Sequence, residues 1–330
     1  MGNHVGTKPA SPLLVALPGL HAAMLKPARH FVITGGGGWL GSAALDCLDS
    51  VYGAALPGRV AVFGAGARQL QLRSGRCIAS RPFADMAVLD KPGPTILHFA
   101  YLTRGYAAQM SLDDYLGVNR NLSAAVARMA ARCGAAGLFI PSSGAVYRRD
   151  RTLAQDITAN PYGVLKLEDE DRFGDLAHRH GFPAVIARIF NLSGPFMNHV
   201  SHYALGSILR DIGAARPIVL KASHPVIRGY THVGDLLSLA VSLLLRGQGA
   251  APFDISGVPA IEIGDLARRA AALLGQAELA IDRPAFESGE PDIYVGDAAR
   301  FAALADVAGL KPRGLDQQIL DTAAYLQETA

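Results

Sequence analysis

Short apolar runs alternate with amphipathic segments through the first two thirds of the chain. Each run is about six residues long and rich in Val and Ile, a pattern typical of strands buried on both faces of a parallel sheet. The two longest amphipathic segments predict helices over residues 111–134 and 162–181. This alternation predicts an α/β fold with a doubly wound parallel sheet. The five runs are HFVITG (30–35), RVAVFG (59–64), TILHFA (95–100), GLFIPSS (137–143) and PAVIARIFN (183–191).

The pattern loosens after residue 191, where Gly-Pro, Arg-Pro and His-Pro pairs punctuate shorter elements. We therefore expect residues 30–191 to form the main domain. Residues 226–258 predict a helix and a strand that return to it, whereas 192–225 and 259–330 predict a smaller lobe.

Residues 1–29 form an N-terminal extension with an apolar stretch that could be mistaken for a secretion signal. Pro18 interrupts that stretch, and Lys8 is the one basic residue before it. We expect this extension to be either poorly ordered or packed onto the main domain.

Charge and cysteine content exclude several classes of protein. The 31 basic and 28 acidic residues are scattered and leave a formal charge of +3, which predicts neither a nucleic-acid surface nor a polybasic membrane patch. Three cysteines without CxxC spacing argue against a disulfide framework and a zinc site. The apolar runs are about half the length of a membrane-spanning helix. These features predict a cytoplasmic protein without a bound metal.

The four consecutive glycines in TGGGGWLG connect the first predicted strand to an amphipathic segment. They include a GxxGxxG pattern in the strand-turn-helix context that binds a dinucleotide. Glycine allows a close approach of the pyrophosphate, whose charge is stabilised by the free N–H groups of the helix. The expected cofactor contacts are Gly35, Gly38, Trp39, Leu40 and Gly41.

The end of the second predicted strand indicates which dinucleotide is bound. An acidic residue there would bind the ribose hydroxyls of NAD, and an arginine nearby would accept the additional phosphate of NADP. Gly64 stands at that position, and Arg68 follows it. This favours NADP(H) and leaves NAD open.

Tyr162 and Lys166 lie four residues apart on a predicted helix, so both side chains share one face. A neighbouring ammonium favours the phenolate of a tyrosine, whose pKa is otherwise about 10. Ser142 and Ser143 end a predicted strand at the carboxyl edge of the sheet, where open α/β folds bind ligands.

Seven motifs in this order resemble the extended short-chain dehydrogenase/reductase family of nucleotide-sugar epimerases, dehydratases and reductases. The resemblance covers about residues 30 to 325 and implies a Rossmann-type sheet with a smaller C-terminal substrate-binding lobe. The motifs are TGGGGWLG (34–41), HFA (98–100), VNRN (118–121), SSGAVY (142–147), YGVLK (162–166), RIFNLSGP (188–195) and VIRGYTHVGD (226–235).

The resemblance implies a catalytic group of four residues. Ser143 corresponds to the hydroxyl that binds the reacting sugar oxygen, and Tyr162 to the residue that transfers the proton. Lys166 is implied to bind the nicotinamide ribose, and Asn119 to support the group from a neighbouring helix. Ala100, at the end of the HFA motif, is a further expected cofactor contact.

Substrate contacts are implied for Asn191 and for Arg228, whose planar fork suits a diphosphate. The chain departs from the family pattern at two sites. Gly144 and Ala145 stand where dehydratases carry an Asp-Glu pair, which argues against elimination of water. Glu287 stands where members of the family have an arginine near the nucleotide.

Three functions are compatible with these residues. The favoured one is an NADP(H)-dependent reductase of a keto group on a nucleotide-linked sugar. The second is a 4-epimerase with tightly held NAD, and the third is a catalytically silent dinucleotide-binding protein. The resemblance also implies a homodimer formed by the helices that carry Asn119 and Tyr162.

Overall fold

A computed structural model describes residues 12–287 and 289–329. Its strands are β1 (Phe31–Thr34), β2 (Val60–Gly64), β3 (Arg68–Gln71), β4 (Cys77–Pro82), β5 (Thr95–His98), β6 (Gly137–Ser143), β7 (Ala184–Ile189), β8 (Asn191–Ser193), β9 (Ile218–Val219), β10 (Val226–Arg228), β11 (Tyr230–His232), β12 (Ala250–Ile255), β13 (Ile261–Glu262), β14 (Ile281–Asp282) and β15 (Asp292–Tyr294). Its helices are α1 (Leu20–Leu25), α2 (Trp39–Tyr52), α3 (Leu56–Arg59), α4 (Arg104–Ala107), α5 (Leu112–Cys133), α6 (Pro161–His180), α7 (Ala204–Gly213), α8 (Val233–Leu245), α9 (Ile263–Leu273), α10 (Ala299–Ala308) and α11 (Leu315–Glu328).

A central sheet of eight strands, in the order β12-β7-β6-β5-β1-β2-β4-β3, confirms the predicted doubly wound α/β fold. The five predicted runs are β1, β2, β5, β6 and β7, which pair in parallel. All four residues of β1 and of β5 are buried, because helices cover both faces of the sheet. Helices α2 and α8 pack on one face, and α5 and α6 pack on the other.

The edge of the sheet beyond β2 departs from a purely parallel pattern. Strand β4 is parallel to β2, but β3 pairs with β4 in the antiparallel sense. The two strands are joined by a turn in which Gly75 has a φ of +85°, a conformation that glycine adopts without strain. This hairpin places Arg68 beside the glycine-rich loop.

The described part of the N-terminal extension packs onto the central domain. Helix α1 contacts α2 and α8, and Leu13, Leu17, Leu20 and Met24 are buried. The backbone N–H of Val15 donates to Ser238 Oγ at 2.9 Å. Residues 1–11 of the extension lie outside the described residues.

The C-terminal third contributes to the central sheet and to smaller sheets. Strand β12 pairs with β7 at one edge of the central sheet. Strand β10 lies between β13 and β15, β11 pairs with β8, and β14 pairs with β9. These pairings bring the segment around residue 294 to the carboxyl edge of the central sheet. In the described part of the chain, no helix has the length and apolar character needed to cross a membrane.

Candidate active site

The glycine-rich loop leaves no room for side chains at two of its three motif positions. Gly35 has a φ of +76°, and a Cβ there would lie 2.6 Å from the backbone nitrogen of Ala100. A Cβ at Gly41 would lie 2.1 Å from the carbonyl oxygen of Gly35. A Cβ at Gly38 would meet nothing closer than 3.5 Å, so glycine at this position leaves space above the loop rather than relieving a collision.

The amino end of α2 opens onto that space. Its N-cap residue is Gly38, which provides no side chain to accept a hydrogen bond from the first turn. The first N–H groups of a helix have no partner within the helix, so those of Trp39, Leu40 and Gly41 are available to an anion. The loop and the helix end together fit the pyrophosphate of a dinucleotide.

Arg68 lies against the glycine-rich loop. A Cβ at Gly37 would be 1.9 Å from a terminal nitrogen of Arg68, so the guanidinium covers that residue. Both line a cavity of about 320 Å³ between the loop and the β3 edge. Asp46 also lines this cavity, but burial raises the pKa of its carboxyl and disfavours its negative charge. Gly64 ends β2 without an acidic side chain.

Two adjacent serines at the end of β6 have different environments. Ser142 Oγ donates to Glu170 Oε1 at 2.5 Å and is buried beneath the site. Ser143 Oγ accepts from the backbone N–H of Ala145 at 3.1 Å and lies near the Tyr162 hydroxyl, whose pKa it lowers. Of the two hydroxyls, the structure therefore places the one predicted from the motif beside the tyrosine.

Tyr162 stands in the first turn of α6. The turn is fixed by Asn160, whose side chain accepts from the backbone N–H of Gly163 at 2.9 Å, and by Pro161 at the first helical position. Burial raises the pKa of Tyr162, and the neighbouring Ser143 hydroxyl opposes this effect. The phenol is therefore protonated at neutral pH unless more positive charge approaches it.

Lys166 follows Tyr162 by one helical turn and is also buried. Its Nζ lies 5.8 Å from the centre of the Tyr162 ring and donates to the carbonyl oxygen of Pro141 at 3.0 Å. Burial lowers the pKa of Lys166 to about 8, against the opposing effect of Asp169 and Glu170. At neutral pH the amine remains mainly protonated.

Asn119 supports this group through the backbone that follows β5. Its Oδ1 accepts from the N–H of Leu102 at 2.9 Å, and its Nδ2 donates to the carbonyl oxygen of the same residue at 3.3 Å. Asn119 is fully buried in α5. It contacts neither Tyr162 nor Lys166 through a hydrogen bond, so its effect on them is indirect.

A chain of charged side chains connects α6 to the C-terminal third. Arg188 binds both oxygens of Glu170, with its shortest contact at 2.6 Å, and donates to Tyr147 Oη at 2.7 Å. Tyr147 in turn donates to Asp254 at 2.9 Å, and Asp254 pairs with Arg151 at 3.0 Å. The two acidic and two basic groups balance, so burial leaves no net charge unpaired.

Phe190 explains the glycine at position 144. A Cβ at Gly144 would lie 2.6 Å from the Phe190 ring, and a Cβ at Gly296 would lie 2.5 Å from it. The ring is therefore held between two glycines in the place where an acidic side chain at position 144 would stand. This packing leaves no room for an acidic side chain at position 144.

Tyr294 is a site residue that sequence reasoning did not identify. Its hydroxyl lies 3.5 Å from Ser143 Oγ, and its ring centre is 4.8 Å from that of Phe190. It follows Ser143 by 151 positions, so no local spacing points to it. Its place in a short strand of the C-terminal third is the only sequence signal.

The residues implied for the substrate are engaged with the protein. Asn191 Nδ2 donates to the carbonyl oxygens of Gly229 and Tyr294 at 3.3 and 3.2 Å. Arg228 pairs with Asp292 at 2.6 Å. These contacts fix the segment that carries Tyr294 next to Ser143.

Arg283 is a nearby cation that could replace the arginine absent at Glu287. Its guanidinium pairs with Glu262 at 2.9 Å and lies 4.2 Å from the centre of the Phe286 ring. Glu287 itself is exposed, and its backbone N–H donates to Ser223. The Arg283 guanidinium is therefore already engaged by neighbouring residues of the C-terminal third.

Comparison with known proteins identifies the family of this chain. The family model for the NAD-dependent epimerase/dehydratase family matches residues 31–255. The chain belongs to this family. The family match covers the glycine-rich loop, the serine motif and the tyrosine-lysine pair. In the described residues, no group of three or more His, Cys, Asp or Glu side chains is arranged to hold a metal ion.

Individual proteins are similar to this chain in sequence or in fold. A UDP-glucose 4-epimerase of Azospirillum brasilense is 27% identical over 250 residues, which cover 66% of this chain and 70% of the relative. A UDP-N-acetylglucosamine 4-epimerase structure from Methanobrevibacter ruminantium, in complex with UDP-N-acetylmuramic acid, has a TM-score of 0.69 at 17% identity and covers 91% of this chain and 99% of its own. A UDP-glucuronic acid 4-epimerase variant from Bacillus cereus, in complex with NAD and a fluorinated sugar nucleotide, has a TM-score of 0.67 at 16% identity, with 92% and 100% coverage. The two structures share the fold.

Proposed function

We propose that this enzyme transfers a hydride between a nicotinamide dinucleotide and the sugar of a nucleotide-linked hexose, with reduction of a 4-keto group as its main reaction. The observation that carries the proposal is the meeting of Ser143, Tyr162 and Lys166 at the carboxyl edge of the sheet. The catalytically silent alternative gives no reason for these three side chains to meet beside a dinucleotide cradle.

The residues that would hold the dinucleotide fit it well. The amino end of α2 would bind the pyrophosphate, and the glycine-rich loop would let it approach the backbone. Lys166 would donate hydrogen bonds to the nicotinamide ribose. When bound, the nicotinamide supplies or accepts the hydride at its C4 carbon.

The protein contributes proton transfer and positioning. Ser143 Oγ would donate to the sugar oxygen, while Tyr162 would give its proton to that oxygen as the keto group is reduced. Because burial raises the pKa of Tyr162, the phenol is protonated at neutral pH, which is the state that reduction requires. Lys166 stabilises the phenolate that remains.

NADP(H) is the proposed cofactor because of the environment of Arg68. The guanidinium beside Gly37 and the absence of an acid at Gly64 suit the additional phosphate of NADP. A second candidate, a 4-epimerase with tightly held NAD, is favoured by the Azospirillum brasilense relative and by the NAD in the Bacillus cereus complex.

The cofactor content of the purified protein distinguishes the two reactions. An epimerase regenerates its own NAD and would retain it in stoichiometric amount after dialysis. A reductase exchanges its cofactor at each turnover, so we expect no retained NAD and tighter binding of NADPH than of NADH. Thermal shift with a panel of nucleotide sugars and each cofactor would then identify the sugar.

Replacement of Arg68 by alanine should weaken NADPH binding about tenfold to a hundredfold, because one charge-assisted hydrogen bond to phosphate is lost. NADH binding should change little. Arg73→Ala is a matched control, since Arg73 lines the same cavity but pairs with Glu328. Binding affinity for each cofactor is measured by fluorescence titration. Equal losses of affinity for NADPH and NADH would mean that Arg68 does not bind the additional phosphate.

The organisation of the chain follows from this function. Residues 30–191 would bind the dinucleotide, and the lobe formed by 192–225 and 259–330 would bind the nucleotide sugar. We expect a homodimer formed by α5 and α6, which sedimentation at micromolar concentration would detect.

The three cysteines, none of them in a disulfide in the described residues, are compatible with a reducing cytoplasm.

A further inference from the structure

The buried ammonium of Lys166 lies over an aromatic ring that no motif singled out. Its Nζ is 3.5 Å from the centre of the Tyr101 ring, well inside the range of a cation–π interaction. The same ring meets that of Tyr162 edge to face, with centres 6.0 Å apart and planes at 77°. Tyr101 therefore contacts both members of the tyrosine-lysine pair.

The hydroxyl of Tyr101 has no part in this arrangement. It is buried and has no hydrogen-bond partner among the described residues. What acts on Lys166 is therefore the face of the ring, which phenylalanine would also provide. An aliphatic side chain would fill the space without attracting the ammonium.

The position of the ring is fixed from α5. Asn119 holds the backbone of Leu102 through two hydrogen bonds, and Tyr115 Oη donates to the carbonyl oxygen of Leu102 at 2.9 Å. Leu102 is the residue directly after Tyr101. This connection gives Asn119 a physical route to Lys166 through the Tyr101 ring.

We propose that Tyr101 is a positioning residue that holds the Lys166 ammonium beside Tyr162 by presenting its ring face to Nζ. The importance of this for proton transfer rests on the proposed function. The contact itself is independent of any reaction, and it can be tested in the protein without a substrate.

Several other groups act on the charge of Lys166. From its own helix, Asp169 and Glu170 favour the ammonium. From β5, buried His98 has a pKa lowered to about 3 by burial and by the charge of Lys166, so its imidazole is neutral, and from α5 Ser123 faces Asp169. Because the variants below leave these groups in place, a change in the titration of Lys166 reports on the ring.

The test is the pH dependence of amine acetylation, measured for each of the six lysines by peptide mass spectrometry. Wild type should give a midpoint for Lys166 near the pKa of about 8. Tyr101→Phe should leave it unchanged. Tyr101→Leu should lower it by about one unit, and so raise the amine fraction at pH 7 severalfold, because the ring no longer favours the charged form.

Tyr101→Ile serves as a second aliphatic variant in case the leucine variant does not fold, as judged by circular dichroism. An unchanged midpoint in the aliphatic variant, or an equal shift in the phenylalanine variant, would overturn the proposal. In a separate experiment, acetylation of the wild-type protein is measured in the presence of NADPH. Protection of Lys166 from acetylation supports the cofactor site, and its absence counts against the proposed function while leaving the comparison of variants valid.

Discussion

Turnover should fall by about two to four orders of magnitude when Tyr162 is replaced by phenylalanine, the usual contribution of a positioned acid or base. The variant keeps the ring that packs against Tyr101 and loses only the hydroxyl near Ser143. Folding and dinucleotide affinity should therefore stay close to wild type. The measurement is the rate of hydride transfer in a single turnover, monitored by the absorbance of the nicotinamide. The substrate is a nucleotide sugar that the wild-type enzyme is found to reduce.

Tyr106→Phe is the matched control for this prediction. Tyr106 is 45% exposed in α4, so removal of its hydroxyl should not affect hydride transfer. Near-normal turnover in the Tyr162 variant would exclude the phenol as the proton donor. A loss of dinucleotide binding in the same variant would instead assign Tyr162 to cofactor binding.

The central fold could be predicted from sequence because its signals are local. Strands buried on both faces must be continuous apolar runs, and each of the five runs forms a strand whose ends lie within two residues of the predicted ones. The β3–β4 hairpin was not predicted. Leucine alternates with polar residues before Ser74 and Gly75, but the segment RCIASRP after them shows no such alternation, so the sequence signal is too weak to separate the hairpin from a loop.

The candidate site also contains residues that local sequence signals identify and residues that they do not. Sequence spacing places Tyr162 and Lys166 on one helix face and Ser143 at the carboxyl edge of the sheet, and the family resemblance implies that the three act together. Tyr294 and Phe190 meet the site only through packing between distant segments. The Tyr101 ring is closer in sequence to the motifs, but its contact with Lys166 depends on how β5 and α6 pack. No periodicity along the chain encodes such contacts.

Packing between distant segments also determines the contacts of the residues implied to bind the substrate. An arginine in the VIRGYTHVGD motif implies a grip on phosphate, but the sequence does not show that Asp292 lies 2.6 Å from Arg228. A diphosphate would have to compete with that carboxylate. Binding of a phosphate by Arg228 would therefore depend on how β10 and β15 pair, and not on the motif alone.

Replacement of Glu170 by alanine should lower the free energy of unfolding by about 3–5 kcal/mol, because it leaves the Arg188 guanidinium buried without its partner. Side-chain exposure is 3% for Glu170 and 15% for Arg188, so water cannot replace the lost carboxylate. Ser142 loses its acceptor in the same variant. We expect the end of β6, and with it Ser143, to shift, so that turnover also falls.

Glu168→Ala, two residues away on α6, is the control. Glu168 pairs with Arg120, but both side chains are substantially exposed, at 32% and 44%, and such pairs contribute at most about 1 kcal/mol. Urea denaturation of both variants measures the difference. Equal stabilities of the two variants would mean that water or a rearranged neighbour compensates the charge of Arg188. The chain of charged side chains from α6 to Asp254 would then have no role in holding α6 against the C-terminal third.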